Sequence, residues 1–150
     1  MADGDKLVAA LARIGRLEDR LEIADLVYRY THAVRREDVA EFDRLFTDDG
    51  VFEVVRREPD GAMTTNTLRE GKKAIMEFMT NMAHTHEHPT PLVHNLHITL
   101  RGDEAESCCV MVGAYEAGQP HFIGYYDDRY RREDTWRFTR RTYTMVSWKG

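Results

Sequence analysis

The 150-residue chain has two cysteines, four prolines and no long apolar run, and each shortage removes a class of protein. Cys108 and Cys109 are neighbours, so in a strand their side chains point to opposite faces and cannot easily pair. This excludes a disulfide-stapled secreted domain. The apolar stretch 7–12 is too short for a signal-peptide core, and nothing approaches the roughly 20 apolar residues of a membrane span. Positive charge is also short: 21 Lys+Arg against 26 Asp+Glu leave a net charge of −5. That balance argues against a nucleic-acid or anionic-membrane partner. Free thiols and no leader set the expectation of a cytoplasmic protein.

What is present suits one domain over residues 1–150. Apolar residues make up 42% of the chain, enough for a core or a core wrapped around a cavity. No linker, repeat or low-complexity segment interrupts it. Leu7, Leu11 and Ile14 recur at helical spacing and predict a first short helix. Leu17, Leu21, Ile23, Leu26, Val27 and Tyr30 continue the period in a longer one. A third helix starts at Asp38, whose carboxylate can cap the amide near Glu41, and it carries Phe42, Leu45 and Phe46 inward. Gly50, in the left-handed conformation, is expected to stop it. "VFEVV" reads as a strand, Pro59–Gly61 as a tight turn and "AMTTNTL" as the returning strand. A fourth helix, "KKAIMEFMTNM", places Ile75, Phe78, Met79 and Met82 on one face. Four long strand-like runs follow, 92–101, 105–116, 120–132 and 135–148, with turns at Gly102-Asp103, Gly118 and Glu133-Asp134. Helices, a hairpin, a helix and then a long meander define an α+β domain.

The segments "EIADLVYRYTHAVRREDVAEFDRLFTDDGVFE", "HNLHITLRGDEA" and "GYYDDRYRREDTWRFTRR" resemble SnoaL-like, NTF2-like domains. Gly124-x-Tyr126-x-Asp128, followed by Trp136-Arg137-Phe138 and Arg141, resembles the subgroup that includes scytalone dehydratase and hexachlorocyclohexane dehydrochlorinase. The resemblance implies a cone, a strongly curved, mostly antiparallel sheet wrapped around the N-terminal helices with a pocket at its open end. It further implies a small-molecule ligand, no cofactor, and a homodimer formed through the outer sheet face. Catalytic members of the subgroup use a histidine–aspartate pair across the pocket. At the aspartate position, ten residues after Asp25, this chain has Arg35; at the histidine position, four residues before Asn95, it has Pro91.

Five of the seven histidines fall between residues 82 and 100. In His84-x-His86-x-His88 the spacing permits a metal site if the segment is extended, with Glu87 as a further ligand. Pro89 and Pro91 and the preceding helix end favour a solvated loop. His94 shares strand parity with Leu96, Ile98 and Leu100, so it is either a general base at the pocket mouth or a buried, hydrogen-bonded histidine. His97 then faces solvent. Tyr30 lies in the inward helical stripe, as a hydrogen-bond donor to substrate or as a core aromatic. Arg35 cannot act as a base. It either turns the pocket toward anionic ligands or joins Arg36 and Glu37 on a charged helix end. The arginines 129, 131, 132, 137, 140 and 141 are interleaved with Asp127, Asp128, Glu133 and Asp134, which suits cross-strand ion pairs better than a nucleic-acid surface. Asn95, Tyr126, Asp128, Arg141, Phe52 and Phe78 complete the candidate ligand contacts.

Two functions fit these residues. One is a dehydratase- or cyclase-type lyase or isomerase working on a small cyclic oxygenated substrate, with His94 as base and Tyr30 as donor. The other is a binding or accessory protein that kept the cone without the pair; a scaffolding role like that of the small subunits of ring-hydroxylating dioxygenases is a third.

Overall fold

The computed structural model describes residues 2–85, 88–114 and 122–146. Its first element is one continuous helix of 34 residues, α1 (Asp3–Arg36), where the periodicity suggested two. Neither proline nor a capping break interrupts it, so nothing ends the hydrogen-bond ladder before Glu37. Its buried residues, Ile23, Leu26, Val27, Tyr30, Ala33 and Val34, form one stripe confined to the C-terminal half. Leu17 and Leu21, expected to extend that stripe, are exposed. The helix stops at Glu37, a non-glycine residue at φ 56°, while Asp38 donates its amide to the Ala33 carbonyl.

Helix α2 (Val39–Leu45) begins as its sequence dictates: the Asp38 carboxylate accepts from the Glu41 amide at 3.3 Å. It gives way directly to strand β1 (Phe46–Arg57), so Gly50 is no helix stop. Its φ is not positive; the residue is needed because a Cβ there would lie 2.9 Å from the Thr47 carbonyl oxygen, inside the irregular stretch between Phe46 and Val51. Gly61 (φ 87°) makes the turn into β2 (Met63–Glu70). Helix α3 (Lys72–Thr85) buries Ile75 and Met79 and half-buries Phe78 and Met82. Strands β3 (Thr90–Arg101), β4 (Glu104–Ala114), β5 (Phe122–Arg132) and β6 (Trp136–Val146) complete the fold. The Gly118 turn and the outer ends of the flanking runs lie outside the described residues.

The six strands make one curved, unclosed sheet in the order β2-β1-β6-β5-β4-β3. Every neighbour pair is antiparallel except β1 with β6, which is parallel. The concave face closes over α1; the convex face carries charges such as the exposed Asp127 and Arg129 and the half-buried Arg140, while Asp128 and Arg141 are buried. The core is aromatic: the Tyr30 ring meets Phe42, Phe46, Tyr126 and Phe138 edge-on, with centroids 5.5 to 6.4 Å apart. Trp136 ties helix to sheet, donating its backbone amide to Glu22 at 2.9 Å and its indole Nε1 to Asp19 at 3.0 Å. Asp19, though partly desolvated, is held below the usual carboxylate range by Trp136 and Arg132.

At Gly124 strand β6 leaves no room for a side chain on β5. A Cβ there would lie 2.5 Å from the Thr144 carbonyl oxygen and 2.6 Å from Tyr143 Cε2. Neither a paired backbone oxygen nor a half-caged ring can retreat far. Gly124→Ala is therefore expected to destabilise the protein by about 1–3 kcal/mol, the usual cost of overpacking. Urea unfolding measures this; an unchanged midpoint would show that the two strands part freely.

Candidate active site

A cavity of about 260 Å³ opens between α1, α3 and the concave face of the sheet. Val34, Phe52, Phe78, Met82, Met111 and Met145 make its walls. The polar residues that line it are few: Tyr30, Tyr126 and Tyr143, the ring of His88, and Asn66 and Thr67 of β2. A few aimed polar groups in an apolar concavity are the usual composition of a small-molecule site. Among the expected contacts, Tyr30, Tyr126, Phe52 and Phe78 all line it.

Directly behind the two tyrosines lies a buried charge. Arg141 is fully buried, its guanidinium carbon 3.6 Å from the Tyr126 ring centroid and 4.0 Å from that of Tyr30. Its Nε stands 3.7 Å from Asp128 Oδ1, and Asp128 is buried too. Arg141 and Asp128, expected as ligand contacts, thus form a cross-strand ion pair beneath the cavity and do not line its wall. The guanidinium is met by ring faces and a single long ionic contact, not by a bidentate carboxylate. Asp128 is accordingly pushed up to about 6: burial disfavours its anion more than Arg141 and the Tyr130 hydroxyl favour it. Burial also pushes the Tyr126 phenol up to about 12 and that of Tyr30 well above the ordinary value, with Arg141 pulling the other way in both. Both phenols therefore stay protonated at neutral pH, as hydrogen-bond donors. Burial pushes the thiol of Cys109, on the same face, up to about 11, so it stays protonated at neutral pH.

His94 is not in this site. It is exposed and pairs with Val110. The expectation assumed unbroken alternation from residue 94 to 100, but β3 carries a bulge between His94 and His97, with Asn95 at φ 56°. The extra residue reverses the parity before it, so Pro91 is buried, Val93 packs on the core and His94 turns outward. Asn95 is likewise exposed, and so is Arg35 at the end of α1. None of the three lines the cavity. His97 faces solvent, on a wider polar concavity of about 620 Å³ over the convex sheet face.

The histidine that reaches the cavity is His88, which the proline-flanked run had assigned to a solvated loop. His84 does stay exposed, its Nδ1 donating to the Thr80 carbonyl at 2.8 Å; His86 and Glu87 lie outside the described residues. The His88 side chain is only 11% exposed, and its Nε2 lies 3.2 Å from Glu37 Oε1, across a sequence separation of 51 residues. Its Nδ1 is 3.5 Å from the Pro89 carbonyl oxygen, at the limit of a hydrogen bond. Pro91, at the histidine position of the resembled subgroup, lines the same cavity three residues further on. Glu37 lies two residues beyond the aspartate position. The chain therefore has an acid–imidazole pair at the cavity mouth, built from different positions. Nothing in the sequence marks Glu37, because the left-handed turn that aims it normally favours glycine or asparagine. Among the described residues no group of three or more His, Cys, Asp or Glu side chains is placed to hold a metal ion. No helix there is long and apolar enough to cross a membrane.

A helix-filled, curved sheet with a pocket at its open end defines the NTF2-like class. The profile of the SnoaL-like domain family matches residues 15–142, and the chain belongs to that family. Its backbone is similar to that of an NTF2-like protein with a cystatin-like fold from Novosphingobium aromaticivorans (24% identity, 96% of this chain and 92% of that one, TM-score 0.76). It is also similar to the beta subunit of a candidate aromatic-ring-hydroxylating dioxygenase from the same organism (19% identity, 91% and 94% coverage, TM-score 0.71). LinA, a hexachlorocyclohexane dehydrochlorinase, superposes with a TM-score of 0.69 at 18% identity, covering 89% of each chain. At these identities the likeness is one of fold. No curated protein matches the sequence.

Proposed function

We propose that the protein is a lyase or isomerase that moves a proton on a small, largely apolar cyclic substrate bearing a carbonyl. The observation that carries this reading is the His88–Glu37 pair at the mouth of an apolar cavity floored by two protonated tyrosines. With Nε2–H donating to Glu37, the lone pair of His88 rests on Nδ1, which is the basic atom. Substrate displaces the long contact between Nδ1 and the Pro89 carbonyl; Nδ1 then takes a proton from the carbon next to the substrate carbonyl, and the bonding electrons move onto the carbonyl oxygen. Tyr126 donates to that oxygen, Tyr30 donates in turn to the Tyr126 hydroxyl, and the Arg141 charge behind their rings favours the negative charge as it develops. The proton held on Nδ1, with the Pro89 carbonyl able to accept from it, returns to another carbon in an isomerisation. In a dehydration it leaves with a β-hydroxyl group as water. Either course needs only positioned acid–base groups. The cavity lies just under the roughly 300 Å³ at which ligand pockets begin, which favours a substrate of one or two rings. Likeness to LinA supports elimination chemistry on this scaffold.

A binding or accessory role is the second reading, supported by Arg35 and Pro91 at the subgroup's two catalytic positions and by the likeness to a dioxygenase beta subunit. Deuterium exchange separates the two. Cyclic ketones and hydroxyketones in D2O are followed by proton NMR. Enzyme-dependent loss of the α-proton signal, absent with His88→Gln, is the expected result. Ligands that bind without any exchange would replace the enzyme with the binding protein.

A further inference from the structure

Apart from Asp19, which holds Trp136 and Arg132, the N-terminal half of α1 adds nothing to the core. Burial along the helix begins at Ile23, yet the roughly four preceding turns carry Leu7, Ala10, Ile14, Leu17 and Leu21. The four large ones are between 50% and 72% exposed. Their spacing alternates three and four residues, the first and fourth positions of a heptad. At 3.6 residues per turn this row lies on the opposite side of the helix from Ile23, Leu26 and Tyr30, and so points away from the sheet. Long apolar residues in a continuous exposed row are a binding surface rather than scatter.

We propose that this row is the seam of a parallel, in-register coiled coil with α1 of a second copy of the chain. Three observations choose that occupant. The heptad row is self-complementary, since each large residue meets its own counterpart across a two-fold axis. The flanking charges then match. Arg13 and Arg20 occupy the position before the first apolar residue of a heptad, and Glu18 and Asp25 the position after the fourth. A parallel pair sets Arg13 against Glu18 of the other copy, twice. Arg20 comes toward Asp25 with its Nη1 already donating to the Ile98 carbonyl at 2.7 Å, so the Arg13–Glu18 pairs carry the match. An antiparallel pair would instead set Lys6, Arg13 and Arg20 against one another. The geometry is also open. With the seam opposite the sheet, the two globular bodies sit on the outer sides of the helix pair. Two heptads are few for an isolated coil, but this helix is already ordered by its anchored C-terminal half, so association does not bear the cost of nucleating it.

This surface is distinct from the convex sheet face, and its test is mass together with cross-linking. In multi-angle light scattering, Ile14→Glu combined with Leu17→Glu is expected to halve the particle mass, whatever contact the sheet face adds. The double variant should still fold and unfold cooperatively, losing only the stabilisation that association itself adds, because both side chains lie outside the core. In a Cys108→Ser background, which removes the exposed native thiol, Leu7→Cys is expected to form a disulfide-linked dimer under mild oxidation. Only the parallel register brings the two copies of residue 7 together. A monomeric wild type, or an unchanged mass in the double variant, overturns the proposal. A halved mass without cross-linking through residue 7 overturns the parallel register.

Discussion

His88→Ala is expected to lower turnover by roughly 10²–10⁴-fold, the range for loss of a positioned general base, with little change in melting temperature. The imidazole stands at the cavity mouth with its Nε2 on Glu37, and it contributes little to the packed core around Tyr30. The loss should fall on kcat rather than KM, because a base acts on the transition state and the apolar walls still bind the ring. Glu37→Gln is the companion. Its amide oxygen can still accept from Nε2, so the ring stays oriented while the carboxylate is gone; a smaller loss of kcat is expected. His94→Ala gives the contrast. Strand alternation alone would make it the damaging change, whereas its exposed position outside the cavity leaves turnover and stability near wild type, within about 0.5 kcal/mol. Steady-state kinetics on any substrate that passes the exchange assay decides among the three. Turnover lost in His94→Ala and kept in His88→Ala would sink the assignment.

Asp128→Ala carries the largest expected cost in stability. Removing the carboxylate leaves the Arg141 guanidinium fully buried with only ring faces against it. Breaking a buried pair from one side typically costs about 3–5 kcal/mol. For a chain of this size that is a fall in melting temperature of roughly 6–20 °C. Replacing both partners, as Asp128→Leu with Arg141→Met, should recover most of it, since no orphaned charge remains. A pH profile adds an independent check. The folded Asp128 value of about 6 lies above its ordinary 3.8, so the folded chain holds this proton longer than the unfolded one. Its contribution to stability is fully present below about pH 4 and is lost as the pH rises through 6. Asp19 and Glu41 have the opposite sign: hydrogen bonds from arginines and Trp136 outweigh their partial burial, so their contribution fades only as the pH falls beneath the ordinary carboxylate range. The difference between wild type and Asp128→Asn, from denaturant midpoints, should therefore slope between pH 4 and 6. A flat difference would show that the long Nε···Oδ1 contact holds Asp128 ionised after all.

How far the chain alone leads can be judged from single residues. The stripe from Ile23 to Val34, the Asp38 cap, the Gly61 turn and the Gly124-to-Arg141 pattern each depend on neighbours close in sequence or on a matched block, and α+β order, family and four cavity residues follow from them. Leu17 and Leu21 show the limit: periodicity says that a helix has an apolar face, but not whether this protein or another covers it. His94 shows it again, because one extra residue at Asn95 reverses a strand's parity, and a bulge is decided by how β3 must curve against β4 rather than by local preference. His88 and Glu37 are 51 residues apart and meet only because α1 ends in a left-handed turn beside the descending β3 lead-in. Short-range patterning determined which elements form and which family they compose. The direction in which each ionisable side chain points depends on bulges, helix ends and strand curvature, whose energies are settled by packing across the whole domain, and those were left to the tertiary structure.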